Sequence, residues 1–214
     1  RVFLKTCTNG SSELMTNLSM SLVNALYNLQ LMKIAGENGV AAYGAVMYVN
    51  FIFVATFLGY AIGCAPVISY HYGAGNHAEL KNLYKKSMSI ILVWGVILFG
   101  AAQLLAPVLS KIFVGYNTGL YAMTLHGFRV YAIAFLIIGI NIFGSSFFTA
   151  LNNGLISAVI SFLRTLVFQV IMVLTLPLWF GINGIWSAIS IAEALTLIMT
   201  TTFFVRQKDK YHYL

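Results

Sequence analysis

The chain has 214 residues, of which 60% are hydrophobic and 8% are charged, whereas soluble globular domains carry about 25% charged residues. This composition excludes an ordinary soluble domain and indicates a polytopic membrane protein. The formal charge of +7 does not point to a nucleic-acid partner, because the Lys and Arg residues lie mostly in short connections between apolar runs, which is the pattern that orients membrane spans.

The start of the chain carries no recognisable signal peptide. Arg1 and Lys5 precede a polar stretch, TCTNGSS, instead of an apolar run with a small-residue cleavage site. Because the sequence opens on Arg1 and enters an apolar segment within about ten residues, we expect it to be a fragment of a longer protein.

Six apolar segments are long enough to cross a hydrocarbon core of about 30 Å, which takes roughly 20 helical residues. The sequence therefore predicts an all-α polytopic membrane protein with six transmembrane helices. The predicted spans are residues 10–34, 39–72, 87–110, 119–150, 154–180 and 183–205.

The first segment is not uniformly apolar, and its polar residues share one helical face. Bare polar groups are costly in hydrocarbon. We therefore expect this face to lie against another helix or an aqueous cavity, as part of a substrate or ion pathway. The polar face consists of Glu13, Asn17, Ser21, Asn24 and Asn28.

Basic residues are distributed unequally between the two ends of the predicted helices. The positive-inside rule places the richer end, and with it both termini, in the cytoplasm. One end collects eight basic residues, Arg1, Lys5, Lys81, Lys85, Lys86, Arg206, Lys208 and Lys210, and the other has Lys33, Lys111 and Arg129.

Ionisable residues inside membrane spans are functional candidates, because placing them there is expensive. Arg164 and Glu193 fall at similar depth, each about 15 Å from the start of its span, which favours a buried ion pair between the fifth and sixth helices over a direct role in substrate binding. Glu13 lies near the end of the first span, where a solvated carboxylate and a pathway residue are about equally compatible with the sequence.

Further polar residues lie within the later spans. Asn141, Ser145 and Thr149 step by four along the fourth span, and Gln169 lies in the fifth. Hydrogen bonds between helices are the default explanation for such residues. For each of these residues, lining of a cavity is the sharper alternative.

The sequence lacks the patterns expected of an enzyme or a metal site. No nucleophile elbow or paired-carboxylate motif is present, and the histidines and cysteines do not have metal-ligand spacing. We expect a protein that is not an enzyme and that needs no metal or cofactor.

Four stretches of the sequence resemble the multidrug and toxic compound extrusion (MATE) transporters, specifically their C-terminal half. They span nearly the whole chain and occur in the family's order. The stretches are GENGVAAYGAVMYVNFIF, GCAPVISYHYGAGNHAELKNLYKKS, FFTALNNGLISAVISFLRTLVFQ and LPLWFGINGIWSAISIAEAL.

The resemblance implies a twelve-helix protein of the cell membrane in which two six-helix lobes face each other across a central cavity. This chain would be one lobe, with the N-terminal lobe as its partner. Such proteins export cationic, amphipathic compounds by alternating access, driven by inward flow of sodium ions or protons. Some members carry coupling carboxylates in the seventh and tenth helices, at positions where this sequence has Ser21 and Asn141.

Two other functions remain open at this point. A flippase for lipid-linked saccharides shares the same helical plan, but its phosphate headgroup calls for several cationic groups in the cavity. The other alternative is a truncated membrane fragment that does not transport.

Overall fold

The computed structural model describes the backbone of residues 2–213 and the side chains of residues 17–213. This part of the chain is helical and contains no strand, which confirms the predicted all-α class. The helices are α1 (Val2–Gly73), α2 (His77–Val114), α3 (Thr118–Ala132), α4 (Phe135–Ala150), α5 (Gly154–Phe162), α6 (Gln169–Phe180) and α7 (Ile182–Tyr211), and a π-helical segment (Leu163–Phe168) joins α5 to α6.

Helix α1 is folded back on itself at Gly36, whose φ of 63° and ψ of −154° are not helical. A positive φ suits glycine because it has no Cβ. The Tyr43 hydroxyl donates to Asn24 Oδ1 over 3.0 Å, although residues 19 positions apart in a straight helix are separated by roughly 28 Å. Helix α1 therefore forms two antiparallel arms, a first arm before Gly36 and a second arm after it.

The other helices supply the remaining membrane-crossing segments. Within residues 17–213, four helical stretches, including that of α1, are long and apolar enough to cross a membrane. Helices α3 and α4 meet the same test as a bent pair. With α1 counted as two arms, the architecture agrees with the predicted lobe of membrane-spanning helices.

The predicted fourth span, residues 119–150, is broken into α3 and α4, which meet at an angle of 48°. No proline or glycine marks the break. Helix α2 approaches it closely, because an ideal Cβ on Gly95 would lie 3.0 Å from the backbone oxygen of Phe135. The glycine thus permits α2 to pack against the carbonyl at the start of α4.

The turns after α1 and α4 and the end of α7 meet at one end of the lobe, which we call the basic end. The Ser69 hydroxyl donates to the Ala150 carbonyl over 2.9 Å, and Asn153 Nδ2 donates to the Tyr211 hydroxyl over 2.9 Å. The basic residues described at this end are Lys81, Lys85, Lys86, Arg206, Lys208 and Lys210.

An aromatic cluster of Tyr84, Phe147, Phe204 and Tyr213 closes the interior at the basic end. The Phe147 ring is fully buried, with its centroid 5.4 Å from that of Tyr84 and 5.0 Å from that of Tyr213. The Tyr213 hydroxyl donates to the Phe204 carbonyl over 2.9 Å. Burial raises the pKa of Tyr213 above its usual value, as do the neighbouring Tyr84 and Tyr211. The cluster ties the start of α2 to the ends of α4 and α7.

Candidate functional site

A cavity of about 140 Å³ lies between the arms of α1, the bent pair α3 and α4, the π-helical segment, α6 and α7. It brings polar side chains from distant parts of the sequence to a largely apolar wall. The apolar wall includes Met20, Met47, Phe51, Leu58, Ile138 and Ile142, and the polar residues include Asn24, Tyr27, Tyr43, Asn50, Gln169 and the pair Arg164 and Glu193.

Arg164 and Glu193, the two residues predicted to pair, are in contact in this wall. Arg164 Nε donates to Glu193 Oε1 over 2.9 Å and to Oε2 over 3.1 Å. The Glu193 side chain is 1% exposed and that of Arg164 is 15% exposed. Because a buried charge is strongly destabilising without its partner, each residue holds the other in place.

Asn141 completes the surroundings of the carboxylate. Its Nδ2 donates to Glu193 Oε2 over 2.7 Å and to the Glu193 backbone oxygen over 3.0 Å. Asn141 is fully buried. Asn141 thereby links α4 to α7 through two hydrogen bonds to Glu193. It does not line the cavity surface.

The π-helical segment positions Arg164. A π-helix carries an extra residue per turn and occurs mostly as short stretches at functional sites. Here it spans Leu163–Phe168, so Arg164 and Thr165 lie within it and both contribute to the cavity wall. Nothing in the local sequence, which contains neither Pro nor Gly, signals this change of helix type.

Two tyrosines that the sequence reasoning missed face each other across the fold of α1. The rings of Tyr27 and Tyr43 stack with centroids 5.0 Å apart and an interplanar angle of 7°. Tyr27 donates to Gln169 Oε1 over 3.3 Å, and Tyr43 donates to Asn24 Oδ1. The signal that points to Tyr27 is its place one helical turn after Asn24. The pairing with Tyr43 depends on the turn at Gly36.

The predicted polar face of the first segment is only partly brought to the cavity. Asn24 lies in the wall. Asn28 is half-buried and donates to the Asn24 carbonyl over 2.9 Å, but it does not line the cavity. Asn17 and Ser21 are exposed and lie outside the wall. Glu13 lies outside the described side chains.

The predicted polar face reaches the cavity only in part because a different face of the first arm is buried against the lobe. Val23, Tyr27 and Leu31 are 6%, 3% and 0% exposed, so they form the side that packs against the rest of the lobe. The polar face is rotated away from this side. Asn24 therefore sits at the edge of the cavity, while Asn17 and Ser21 face outward.

The cavity wall carries no net charge in the part of the chain that the structure describes. Arg164 contributes one positive charge and Glu193 one negative charge, and the other wall residues are neutral at pH 7. Aromatic faces and amide groups dominate the remaining polar surface. Such a surface suits an amphipathic molecule with a large apolar part.

Comparison with known proteins identifies one matching family. A family model called MatE matches residues 14–175. No curated protein matches the chain.

Among solved structures, a MATE protein in the straight conformation shows 21% identity and a TM-score of 0.90 over 100% of this chain and 48% of its own. A multidrug resistance MATE family transporter of the MOP superfamily in an outward-facing conformation shows 21% identity and a TM-score of 0.89 over 99% of this chain and 48% of its own.

A third structure is a MOP superfamily transporter from Pyrococcus furiosus, with 22% identity and a TM-score of 0.87 over 97% of this chain and 47% of its own. For that protein, a reverse polarity of the binding pocket is said to suggest a different function.

This chain thus spans about half the length of the structures it matches. The family match covers most of the chain, and the chain accordingly belongs to the MATE family of membrane transporters.

Proposed function

We propose that this chain forms one lobe of a multidrug exporter that expels cationic, amphipathic compounds in exchange for sodium ions or protons. The observation that carries the proposal is the cavity in which a stacked tyrosine pair, amide side chains and a buried ion pair share one mostly apolar wall. In this account the lobe is the C-terminal half of the transporter. The coupling ion acts without a further cofactor.

The surface beside the cavity supports a partner lobe. Tyr48, Phe51 and Ile52 on the second arm are 66%, 55% and 67% exposed, and Phe51 also lines the cavity. The N-terminal lobe would cover this face and complete a central cavity of twelve helices. Rocking of one lobe against the other would then alternate access, as in transporters built from two related halves.

The substrate class follows from the composition of the wall. Apolar side chains and the tyrosine pair offer contact area for a hydrophobic body, and aromatic faces attract organic cations by about 0.5–2 kcal/mol. Glu193 would become available to a cation or a proton once Arg164 moves away from it. The ion pair would thereby link arrival of the coupling ion to a rearrangement of the wall.

The same wall argues against a flippase for lipid-linked saccharides. Binding a phosphate headgroup favours several cationic donors, whereas Arg164 is the single basic residue among the described residues of the wall. Glu193 neutralises it. Export of a cation is therefore the better-supported function. If export fails in every assay, the chain is a fragment without transport activity.

We place the protein in the cell membrane, with both ends of this chain on the cytoplasmic side. The basic residues of the basic end support this orientation. Impermeant labelling of single cysteines tests it: a cysteine in the turn near Gly75 should react only after the membrane is permeabilised, and one near Gly181 should react in intact cells. The reverse pattern would overturn the orientation.

Asn24→Leu tests the role of the cavity, with Asn28→Leu as its matched control on the same helix. Asn24 lines the wall and accepts from Tyr43, so its loss should remove about 1 kcal/mol of interaction, or about fivefold in export of a fluorescent lipophilic cation. Asn28 does not line the wall, so its replacement should change export less. Unchanged export by Asn24→Leu at normal abundance in the membrane would contradict the proposal.

A further inference from the structure

Four hydroxyl groups form a continuous hydrogen-bonded column between α4 and α5. Thr149 Oγ1 lies 2.7 Å from Ser157 Oγ, which lies 2.9 Å from Ser145 Oγ. Ser145 Oγ in turn lies 2.8 Å from Ser161 Oγ. Ser157 is fully buried and Ser161 is 5% exposed. We call Thr149, Ser157, Ser145 and Ser161 the hydroxyl column.

Each contact in the column joins two hydroxyl groups, and either atom of each pair can be the donor. A hydroxyl donates one hydrogen bond and accepts others, and it rotates to suit its partners. Thr149 also donates to the Ser145 carbonyl over 3.1 Å, and Ser145 donates to the Ser157 carbonyl over 3.3 Å. The three bonds can therefore reverse direction when these hydroxyls rotate away from the carbonyls. This property distinguishes the column from the amide and guanidinium contacts around the cavity, in which the donor is fixed.

The lower end of the column lies at the basic end of the lobe. Thr149 is the penultimate residue of α4, just before the α4–α5 turn, and it is half-buried. Asn153 in that turn contacts Tyr211 at the end of α7, and Asn152 beside it is exposed. A short step thus separates Thr149 from water.

Asn141 connects α4, which carries Ser145 and Thr149 of the column, to the buried carboxylate of Glu193. Asn141 lies one helical turn from Ser145 on the same side of α4, a separation of about 6 Å. Its Nδ2 donates to Glu193, whereas its Oδ1 is buried without a hydrogen-bond partner. Above Ser161, Thr165 in the π-helical segment donates to the Ser161 carbonyl over 2.6 Å.

We propose that the hydroxyl column is the route by which a proton leaves Glu193 for the basic end of the lobe. The inference rests on the proposed function and makes the proton the coupling ion. The arrangement in which Glu193 contacts Arg164 is then the state that follows proton release.

The transfer balances in protons and charge. The O–H bond of a protonated Glu193 breaks as the proton passes to one bridging water molecule beside Asn141. That water gives a proton to Ser161 at the upper end of the column, and the transfer continues in order through Ser145, Ser157 and Thr149. Each hydroxyl accepts one proton as it releases its own. Thr149 releases one proton to bulk water. Glu193 is left as a carboxylate, and Arg164 pairs with it.

Close contact between the hydroxyls favours a proton over a metal cation. The oxygens lie 2.7 to 2.9 Å apart, so they are in direct hydrogen bonding with each other. A sodium ion would have to separate these oxygens to pass, whereas a proton passes by exchange of hydrogen bonds alone. The column can also fasten α5 to α4, and the experiment has to distinguish that role from transfer.

The test uses the protein that contains this chain, reconstituted in liposomes with a pH-sensitive dye inside. Ser157→Ala interrupts the column at its centre. The remaining groups keep partners, because Ser145 still contacts Ser161 and Thr149 still donates to the Ser145 carbonyl over 3.1 Å. Ser161→Ala interrupts the column one step further on. Ser146→Ala is the matched control, since Ser146 donates to the Ala61 carbonyl and lies outside the column.

Two rates are measured for each variant. One is proton movement driven by a lipophilic cation such as tetraphenylphosphonium, and the other is exchange of that cation across the membrane without any ion gradient. Ser157→Ala and Ser161→Ala should slow proton movement by a factor on the order of 10 or more and leave exchange at the wild-type rate. Ser146→Ala should change neither rate, and Ser157→Thr should restore proton movement.

Several results would overturn the inference. Wild-type proton movement in both interrupted variants would remove the column from the route. Equal loss of proton movement and exchange would make the column a structural fastening. Export by the wild type that follows a sodium gradient without proton movement would overturn the proton route and leave the proposed function intact, whereas a wild type that moves no cation would overturn the proposed function itself.

Discussion

The cavity wall and the aromatic cluster both contain buried tyrosines, but the tyrosine hydroxyls have different kinds of partner in the two regions. In the wall, Tyr27 and Tyr43 direct their hydroxyls to the side chains of Gln169 and Asn24, next to open space. In the cluster, Tyr213 directs its hydroxyl to a backbone carbonyl, and its ring packs against other rings. The cluster closes one end of the lobe, whereas the wall keeps polar groups available to a ligand.

This difference predicts that stability and substrate binding depend largely on separate parts of the molecule. Changes in the aromatic cluster should lower the free energy of unfolding without altering binding by the molecules that fold. Changes in the wall should alter transport first. Glu193 belongs to the wall yet is deeply buried, so it is expected to affect both.

Glu193→Gln is expected to have the largest effect. It leaves Arg164, whose side chain is 15% exposed, without an ionic partner. This should cost up to about 3–5 kcal/mol in the free energy of unfolding. Export should be lost as well. Thermal unfolding of the purified protein and export of a lipophilic cation measure the two effects.

The double variant Glu193→Gln with Arg164→Gln separates the effect on stability from the effect on export. With both charges removed, most of the stability should return, since no unpaired buried charge remains. Export should stay impaired. If the double variant exports as well as the wild type, the pair is a helix clamp only.

Phe147→Ala tests the other region. It removes a ring that is fully buried and packed against Tyr84, Phe204 and Tyr213. The cavity left behind should cost about 3–5 kcal/mol of stability, seen as a lower unfolding temperature. Substrate affinity per folded molecule should match the wild type, and a large drop in that affinity would mean that the two regions are not separate.

The two tyrosine hydroxyls provide the closest comparison, because Tyr43→Phe and Tyr213→Phe remove the same atom from the two regions. Each loses one hydrogen bond, worth about 1 kcal/mol. Tyr43→Phe should reduce substrate affinity severalfold, as measured by fluorescence titration, and Tyr213→Phe should reduce only stability. The comparison fails if Tyr213→Phe alters affinity as much as Tyr43→Phe does.

The sequence predicted those features that depend on hydropathy and helical spacing. The break between the first two spans coincides with the turn at Gly36, and the depths of Arg164 and Glu193 indicated their pairing. These predictions depend on helix geometry along single segments, which the order of residues determines directly.

Other features depend on how segments meet in space. The stack of Tyr27 on Tyr43 requires the fold of α1, and the hydroxyl column requires the register of α4 against α5. The π-helical segment around Arg164 and the bend between α3 and α4 have no proline or glycine to mark them. Among the described residues of the predicted polar face, Asn24 alone lies in the cavity wall, because tertiary packing turned Val23 and Tyr27 inward instead.

The most direct test of the central claim is export of a fluorescent lipophilic cation by the protein that contains this chain, in vesicles where sodium and proton gradients are imposed separately. The account predicts that one of the two gradients drives export in the wild type. It also predicts that Glu193→Gln abolishes this export. Intact protein that exports no cation under either gradient, or export that Glu193→Gln leaves unchanged, would contradict it.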